Sequence, residues 1–352
     1  MRAFAVTEFS RPIEAIEVTT PEPEGTEVVL EVRRCGVCHT DLHLQDGYYN
    51  LGGGKRAYLK DRGLLPPLVL GHEILGRLVA KGPDAPAETG EIGHDYIAFP
   101  WLGCGKCEEC LSGNDTYCAS QAALGIVRPG GYAERCLVPH PKYLVDVTSI
   151  DPSLAATYAC SGLTAYSALK KTHIDREKDI LLILGVGGVG MNAVQIALGL
   201  GYKRIAAADL NAEKRAYAKQ CGAAYAFDPS DADAVREFLA GEGNAGAVID
   251  FVGAEDTATL GISALKKGGT YVIVGLFGGE LKLPLLSLVQ RAIEIKGSYV
   301  GSLAELKELV ELGKSGKIPP LPVETLDASQ INDAFDRLRG GKINGRIVLA
   351  RQ

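Results

Sequence analysis

The stretch that most constrains how this chain can fold is residues 179–190, "DILLILGVGGVG". No residue from Ile180 to Tyr202 is charged, and the segment is long enough to cross a bilayer. A compact apolar run that breaks into glycines reads instead as a buried strand, a tight turn and the start of a helix. Gly185, Gly187 and Gly190 fit G-x-G-x-x-G, with Gly188 and Val189 between the last two. In this context the first glycine permits the turn, the second lets the backbone approach a pyrophosphate, and the third allows close helix–strand packing. Unpaired N–H groups at the helix start favour the anion. The next strand-like run, "RIAAADL", ends in Asp209, 19 residues beyond Gly190. A carboxylate there accepts hydrogen bonds from ribose hydroxyls and repels a 2′-phosphate, which predicts NAD in preference to NADP.

From residue 162 onward strands alternate with helical stretches: "DILLILG", "VGMNAVQIALGLG", "RIAAADL", "AEKRAYAKQCGA", "GAVIDFVG", "GTYVIVGLFG". Such alternation predicts a doubly wound parallel sheet over 162–299. Residues 1–161 carry short β-branched runs between turn signals, as in "TEVVLEVRRCG" and "LGRLVAKG", and are expected to form a mostly-β domain. A tail, 300–352, holds helical "LAELKELVELGKSG" and strand-like "GRIVLAR". The fold class is therefore α/β with a second, mostly-β domain. The formal charge of −6 speaks against a nucleic-acid partner, which wants basic stripes. The first residues, "MRAFAVTEFSRP", lack the apolar core of a signal peptide, and no membrane partner is expected. The expected compartment is the cytoplasm, where thiols stay reduced, so nine cysteines point to metal or catalysis.

"CGKCEECLSGNDTYC" places Cys104, Cys107, Cys110 and Cys118 at C-x2-C-x2-C-x7-C spacing, within a lobe of about residues 100–120. Four thiolates on one short loop match a closed tetrahedral zinc site that would hold the lobe's fold. An iron–sulfur cluster is the alternative, since three of these cysteines share a ferredoxin-like spacing. A second set is dispersed: Cys38 in "CGVCHTDLH", His72 beside Glu73 in "LGHEILG", and Cys160 in "ACSGLTAY". Two thiolates and one imidazole leave a coordination position open, as a catalytic zinc requires. Cys35, Cys136 and Cys221 have no partner at metal spacing and are expected to be apolar fillers.

These motifs, in this order and spacing, resemble the zinc-containing medium-chain alcohol dehydrogenase family over essentially the whole chain. The resemblance implies a GroES-like β-domain, a Rossmann domain and a C-terminal segment that returns to the first. It implies two zinc ions per subunit, one catalytic at Cys38, His72 and Cys160 and one structural at the four-cysteine loop. Glu73 and Asp41 would lie behind the catalytic ligands, Asp41 orienting His72. Thr40 would bond the substrate oxygen and pass its proton through the nicotinamide ribose to His43. Thr164, Lys214, Val274 and Arg346 would contact the dinucleotide, with Arg346 reaching its phosphates. Trp101, Leu276 and Tyr299 would line the pocket for an alcohol or carbonyl substrate. Shorter members of the family commonly form homotetramers.

The chain departs from the family in two places. His39 stands where several relatives carry a phosphate-binding arginine, and "GHDYIAF" inserts His94 into the usual Gly-Asp turn, leaving that strand's register open. Residues 47–66, "GYYNLGGGKRAYLKDRGLLP", are expected to be an extended linker at the cleft mouth or a subunit contact. The leading functional reading is NAD(H)-linked interconversion of alcohols with aldehydes or ketones. The alternatives are a polyol or amino-alcohol dehydrogenase, and a non-catalytic zinc- and NAD-binding protein; the presence of Cys38, Thr40 and His43 favours catalysis.

Overall fold

A computed structural model describes residues 1–86 and 90–351. The run "ILLIL" forms strand Ile180–Leu184, every residue of which is buried. It lies near the centre of a six-stranded, all-parallel sheet. The order across that sheet is Tyr225–Phe227, Arg204–Ala208, Ile180–Leu184, Ala245–Asp250, Leu265–Ile273, Glu294–Gly297. Taken in chain order this is 3-2-1-4-5-6, the doubly wound arrangement, with its switch point beside Ile180–Leu184. The two faces of the central strand enter different cores. Leu181 and Ile183 join the large core shared with the rest of the chain, whereas Ile180, Leu182 and Leu184 join a second cluster with Phe227, Phe238 and Tyr271. Burial on both faces explains why the strand reads as a continuous apolar run rather than an alternating one.

The mostly-β part is a seven-stranded sheet centred on Val28–Gly36, which pairs antiparallel with Glu73–Lys81 on one side. On its other side lies the last strand, Arg346–Ala350, with Val348 opposite Gly36 and Leu349 opposite Cys35. Val323–Asp327 then pairs parallel to Arg346–Ala350. The C-terminal strands therefore complete a sheet begun more than 300 residues earlier. Between the two sheets the chain runs through helix Pro152–Thr157, a π-helical turn Tyr158–Gly162 and helix Leu163–Lys170 without leaving helical geometry. Among the described residues no helix is long and apolar enough to cross a membrane.

The linker expected at 47–66 is instead a β-hairpin. Tyr48–Gly52 pairs with Lys55–Tyr58 around Gly53 and Gly54, both at positive φ, and a 3-10 turn, Leu59–Arg62, follows. Its strands are short and mostly solvent-facing, so no apolar alternation marks them in the sequence. The hairpin bridges to the parallel-sheet half, where Asn50 Nδ2 donates to the Phe277 carbonyl at 3.1 Å. In "GHDYIAF" the strand begins at Asp95, and His94 stays in the turn with Nε2 3.2 Å from Thr148 Oγ1.

Gly185 has φ +80° directly after the central strand, and helix Gly188–Gly199 follows. A Cβ on Gly190 would stand 1.9 Å from the Gly185 carbonyl oxygen, so only glycine permits this helix to start so close to the strand. Gly190→Ala is expected to cost about 1–3 kcal/mol through overpacking and to impair dinucleotide binding. Thermal unfolding and a nicotinamide fluorescence titration check both effects.

Candidate functional site

Cys38 caps the N-terminus of helix His39–Asp46, at the end of strand Val28–Gly36. His72 directly precedes the neighbouring strand Glu73–Lys81, and Cys160 sits in the π-helical turn, a geometry enriched at functional sites. Sheet pairing and the interdomain helix thus bring together three residues that are far apart in sequence. One ligand atom from each lies within 4.8 Å of the others, and all three side chains are buried. Cys38 Sγ is 3.9 Å from Cys160 Sγ. Two thiolates placed tetrahedrally about 2.3 Å from one zinc ion would stand about 3.8 Å apart. Imidazole Nε2 of His72 is buried with no hydrogen-bond partner, while Nδ1 lies 3.3 Å from Asp41 Oδ1 without hydrogen-bond alignment. A buried nitrogen left without a partner beside two thiols suits a cation and little else. The Cys160 thiol, donating to Cys38, holds the Cys38 pKa well below its usual value despite burial.

Behind these residues two buried carboxylates are held by hydrogen bonds. Asp41, fully buried, accepts from the Cys38 N–H at 2.9 Å, the Gly71 N–H at 3.3 Å and the Tyr132 hydroxyl at 3.0 Å. Glu73 pairs with Arg346 Nη2 at 2.5 Å and accepts the Ser161 N–H at 3.1 Å. Burial lifts the Glu73 pKa to about 7, against the lowering effect of Arg346. A Cβ on Gly36 would collide with the Glu73 carboxylate, so the glycine of "CGVC" makes room for that acid.

The four-cysteine loop forms a second cluster with all ligand atoms within 4.8 Å. Cys107 Sγ lies 3.5 Å from Cys110 Sγ and 3.7 Å from Cys118 Sγ, and Cys104 Sγ lies 4.0 Å from Cys110 Sγ. The Lys106 and Cys107 backbone N–H groups pull the Cys104 thiol down to about 6, whereas burial pushes Cys110 up to about 12. Four sulfurs this close can all be thiolates only around a cation. Asp115 ties the lobe to the body by accepting from the Gly103 N–H at 3.2 Å and the Tyr143 hydroxyl at 3.1 Å. Cys35, Cys136 and Cys221 are free and belong to neither cluster.

At the glycine turn a Cβ on Gly187 would meet nothing within 4 Å, so the turn faces open space. Val189 is half-buried in the first turn of the helix, and the Gly188 Cα faces Arg346 Cδ. Asp209 follows strand Arg204–Ala208 and accepts from the Val186 and Asn211 N–H groups, each at 2.9 Å. Its carboxylate therefore fixes the turn as well as the start of the next helix. Lys214, in helix Ala212–Gln220, and Arg346 both lie close enough to His39 to disfavour its protonation. His39 is exposed, yet the protein around it is the largest cause of its lowered pKa; Arg346, His43 and Lys214 act in the same direction. Arg346 is more deeply placed than the sequence suggested: it is 3% exposed and committed to Glu73. Thr164 is buried in helix Leu163–Lys170, and Val274 donates its N–H to the Asp250 carbonyl.

Thr40 and His43 lie one turn apart on helix His39–Asp46, hence on one face, and both are half-buried. Trp101 is buried with Nε1 donating to the Ala159 carbonyl at 3.0 Å. Its ring stands 5.4 Å from the His72 ring and 5.8 Å, edge-on, from Tyr299. Tyr299 and Leu276 are about half exposed. Sequence reasoning missed Tyr49 of the hairpin, whose ring stands 5.0 Å from His43. It also missed Tyr132 and Ser161, which hold Asp41 and Glu73 through long-range contacts that no local motif signals.

Residues 24–149 match the alcohol dehydrogenase GroES-like domain, and residues 188–315 match the zinc-binding dehydrogenase family. An NAD-dependent alcohol dehydrogenase of Sulfurisphaera tokodaii is 36% identical over 99% of each chain. The crystal structure of the alcohol dehydrogenase from Aeropyrum pernix superposes with a TM-score of 0.89, at 30% identity over 100% of both chains. An acetophenone reductase from Geotrichum candidum in complex with NAD gives a TM-score of 0.85 at 31% identity, covering 99% of this chain and 97% of that one. With this full-length likeness joined to the Cys38–His72–Cys160 cluster and the glycine turn, the chain belongs to the zinc-binding alcohol dehydrogenase family.

Proposed function

We propose that this protein is an oxidoreductase that interconverts alcohols with aldehydes or ketones using NAD(H). In this reading Cys38, His72 and Cys160 hold a catalytic zinc, and Cys104, Cys107, Cys110 and Cys118 hold a structural one. The observation that carries it is the buried, unpartnered His72 Nε2 beside two thiols spaced for a tetrahedral ion. When bound, the metal supplies Lewis-acid stabilisation of an oxygen anion, and the dinucleotide supplies the hydride acceptor.

The chain's own residues divide the remaining work. Thr40 Oγ1 accepts the substrate hydroxyl's hydrogen bond and gives up its own proton as it receives that of the substrate, and the neutral His43 imidazole is the base that finally takes up a proton and releases it to solvent. Asp41 holds the His72 ring in orientation, and Glu73 balances the charge of Arg346 behind the ligands. Gly185, Gly187, Gly188, Val189 and Gly190 leave their turn open to a pyrophosphate, with Lys214 and Arg346 supplying positive charge nearby and the neutral His39 ring offering a hydrogen-bond donor. Asp209 selects the unphosphorylated ribose, while Thr164 and Val274 line the nicotinamide end. Trp101, Tyr299 and Leu276, joined by Tyr49, form a largely aromatic wall that keeps water from the reacting carbon. We place the protein in the cytoplasm, where the thiols of both clusters stay reduced. Helix Leu285–Arg291 exposes Leu285, Leu286 and Val289 beside the edge strand Glu294–Gly297, which supports assembly into a homotetramer.

Absorbance at 340 nm during incubation of zinc-loaded protein with NAD and a panel of primary and secondary alcohols tests the function. Turnover of none of them overturns it. Cys160→Ser is expected to abolish turnover and lower the zinc content while far-ultraviolet circular dichroism stays unchanged. Asp209→Gly is expected to shift the NADP-to-NAD ratio of kcat/KM upward by about tenfold or more, since one removed repulsion is worth on the order of 1–2 kcal/mol. Burial holds the His43 pKa below its ordinary value, so the neutral, proton-accepting ring persists below pH ~6.5. The acidic limb of the kcat profile for alcohol oxidation should therefore fall below that pH. His43→Gln should remove the limb and lower kcat by on the order of a hundredfold.

A further inference from the structure

A ring of buried polar side chains joins the metal cluster to the glycine turn. Glu73, next in sequence to His72, binds Arg346 Nη2 with one oxygen and the N–H of Ser161, next to Cys160, with the other. Ser161 Oγ donates to the Thr157 carbonyl at 3.0 Å and accepts from Asn192 Nδ2 at 3.1 Å. Asn192 Nδ2 also donates to the Gly188 carbonyl at 3.3 Å, in the first turn of the helix that opens at the glycines. Arg346 closes the ring, since a Cβ on Gly188 would stand 2.7 Å from its Cδ. Glu73 and Ser161 are fully buried, Asn192 is 2% exposed and Arg346 3%. Asn192 lies just past the glycine motif and is no part of it.

We propose that Asn192 is a positioning residue through which a dinucleotide bound at the glycine turn strengthens retention of the metal at Cys38, His72 and Cys160. The inference rests on the functional reading above. Water cannot replace a broken hydrogen bond at this depth, so the Asn192 amide and its two acceptors move together or leave buried groups unsatisfied. A ligand that fixes the first helical turn thereby restricts Ser161, and with it the peptide that carries Cys160. The coupling is reciprocal: the factor by which the dinucleotide tightens the metal is the factor by which the metal tightens the dinucleotide.

The test follows zinc release from the holoenzyme to a chromophoric chelator, with and without saturating NADH, and NADH binding by fluorescence. The relevant zinc is the phase missing from Cys160→Ser. NADH is expected to slow that phase in the unsubstituted protein by about tenfold, within the usual range for coupled sites. In Asn192→Leu, and separately in Ser161→Ala, the slowing should shrink to less than about threefold even though NADH still saturates. The double variant should show no further reduction, as groups in one network behave. If both variants retain the full slowing, or lose zinc faster without NADH while the ratio is unchanged, Asn192 is only structural and the proposal falls. It falls also if NADH binds the unsubstituted protein without slowing release. Failure of NADH to bind at all removes the functional reading with it.

Discussion

The buried ion pair between Glu73 and Arg346 is the constraint on which the site's arrangement depends. Both side chains are removed from water, so each requires the other; breaking such a pair by removing one partner typically costs about 3–5 kcal/mol. Glu73 begins the strand that follows His72, and Arg346 begins the last strand of the chain. Their contact fixes the C-terminal strand against the first sheet at the depth of the metal ligands. It also presses an arginine stem onto the first helical turn of the parallel-sheet half. One ion pair thereby sets the distance between the site that would hold a metal and the site that would hold a dinucleotide.

The two cysteine clusters use the same chemistry for different ends. The four-sulfur loop is local: its ligands fall within 15 residues, and each position around an ion would be filled by sulfur. The other cluster supplies only two sulfurs and one nitrogen, drawn from two strand ends and a π-helical turn. Thr40, His43 and Tyr49 are half-buried, and in the proposed reading they are the groups that exchange protons with a ligand at the open position. Around an ion, closure would hold a fold together in the first case, and incompleteness would leave room for a substrate oxygen in the second.

Much of this was legible in the sequence because it is encoded locally. The glycine turn follows its strand directly, the four cysteines share one loop, and the apolar run of the central strand reports burial on both faces. The hairpin at 48–58 was not read from the sequence: its Gly53-Gly54 turn is a hairpin dipeptide, but the short, largely solvent-facing strands on either side carry no apolar alternation to identify them. Tyr132, Ser161 and Asn192 escaped for another reason. Their roles lie in hydrogen bonds to residues 31 to 91 positions away, and an isolated polar residue gives no sign of such a partner. The sequence likewise gives no sign that Arg346, expected near the cofactor phosphates, pairs through Nη2 with Glu73, a contact set by the register of the last strand rather than by residue type.

The sequence by itself determined the chemistry available to this protein: which side chains can bind a soft cation, where the backbone can turn tightly, and which strand must be buried. Side-chain type and short spacing are covalent properties, and they hold in any conformation. Only the tertiary structure decided that Cys38, His72 and Cys160 meet, and that their neighbours reach the glycine turn through Glu73, Ser161 and Asn192. Convergence across sequence separations of 34 and 88 positions depends on strand register and on the angle of the helix between the sheets. Those are set by the burial of the whole core.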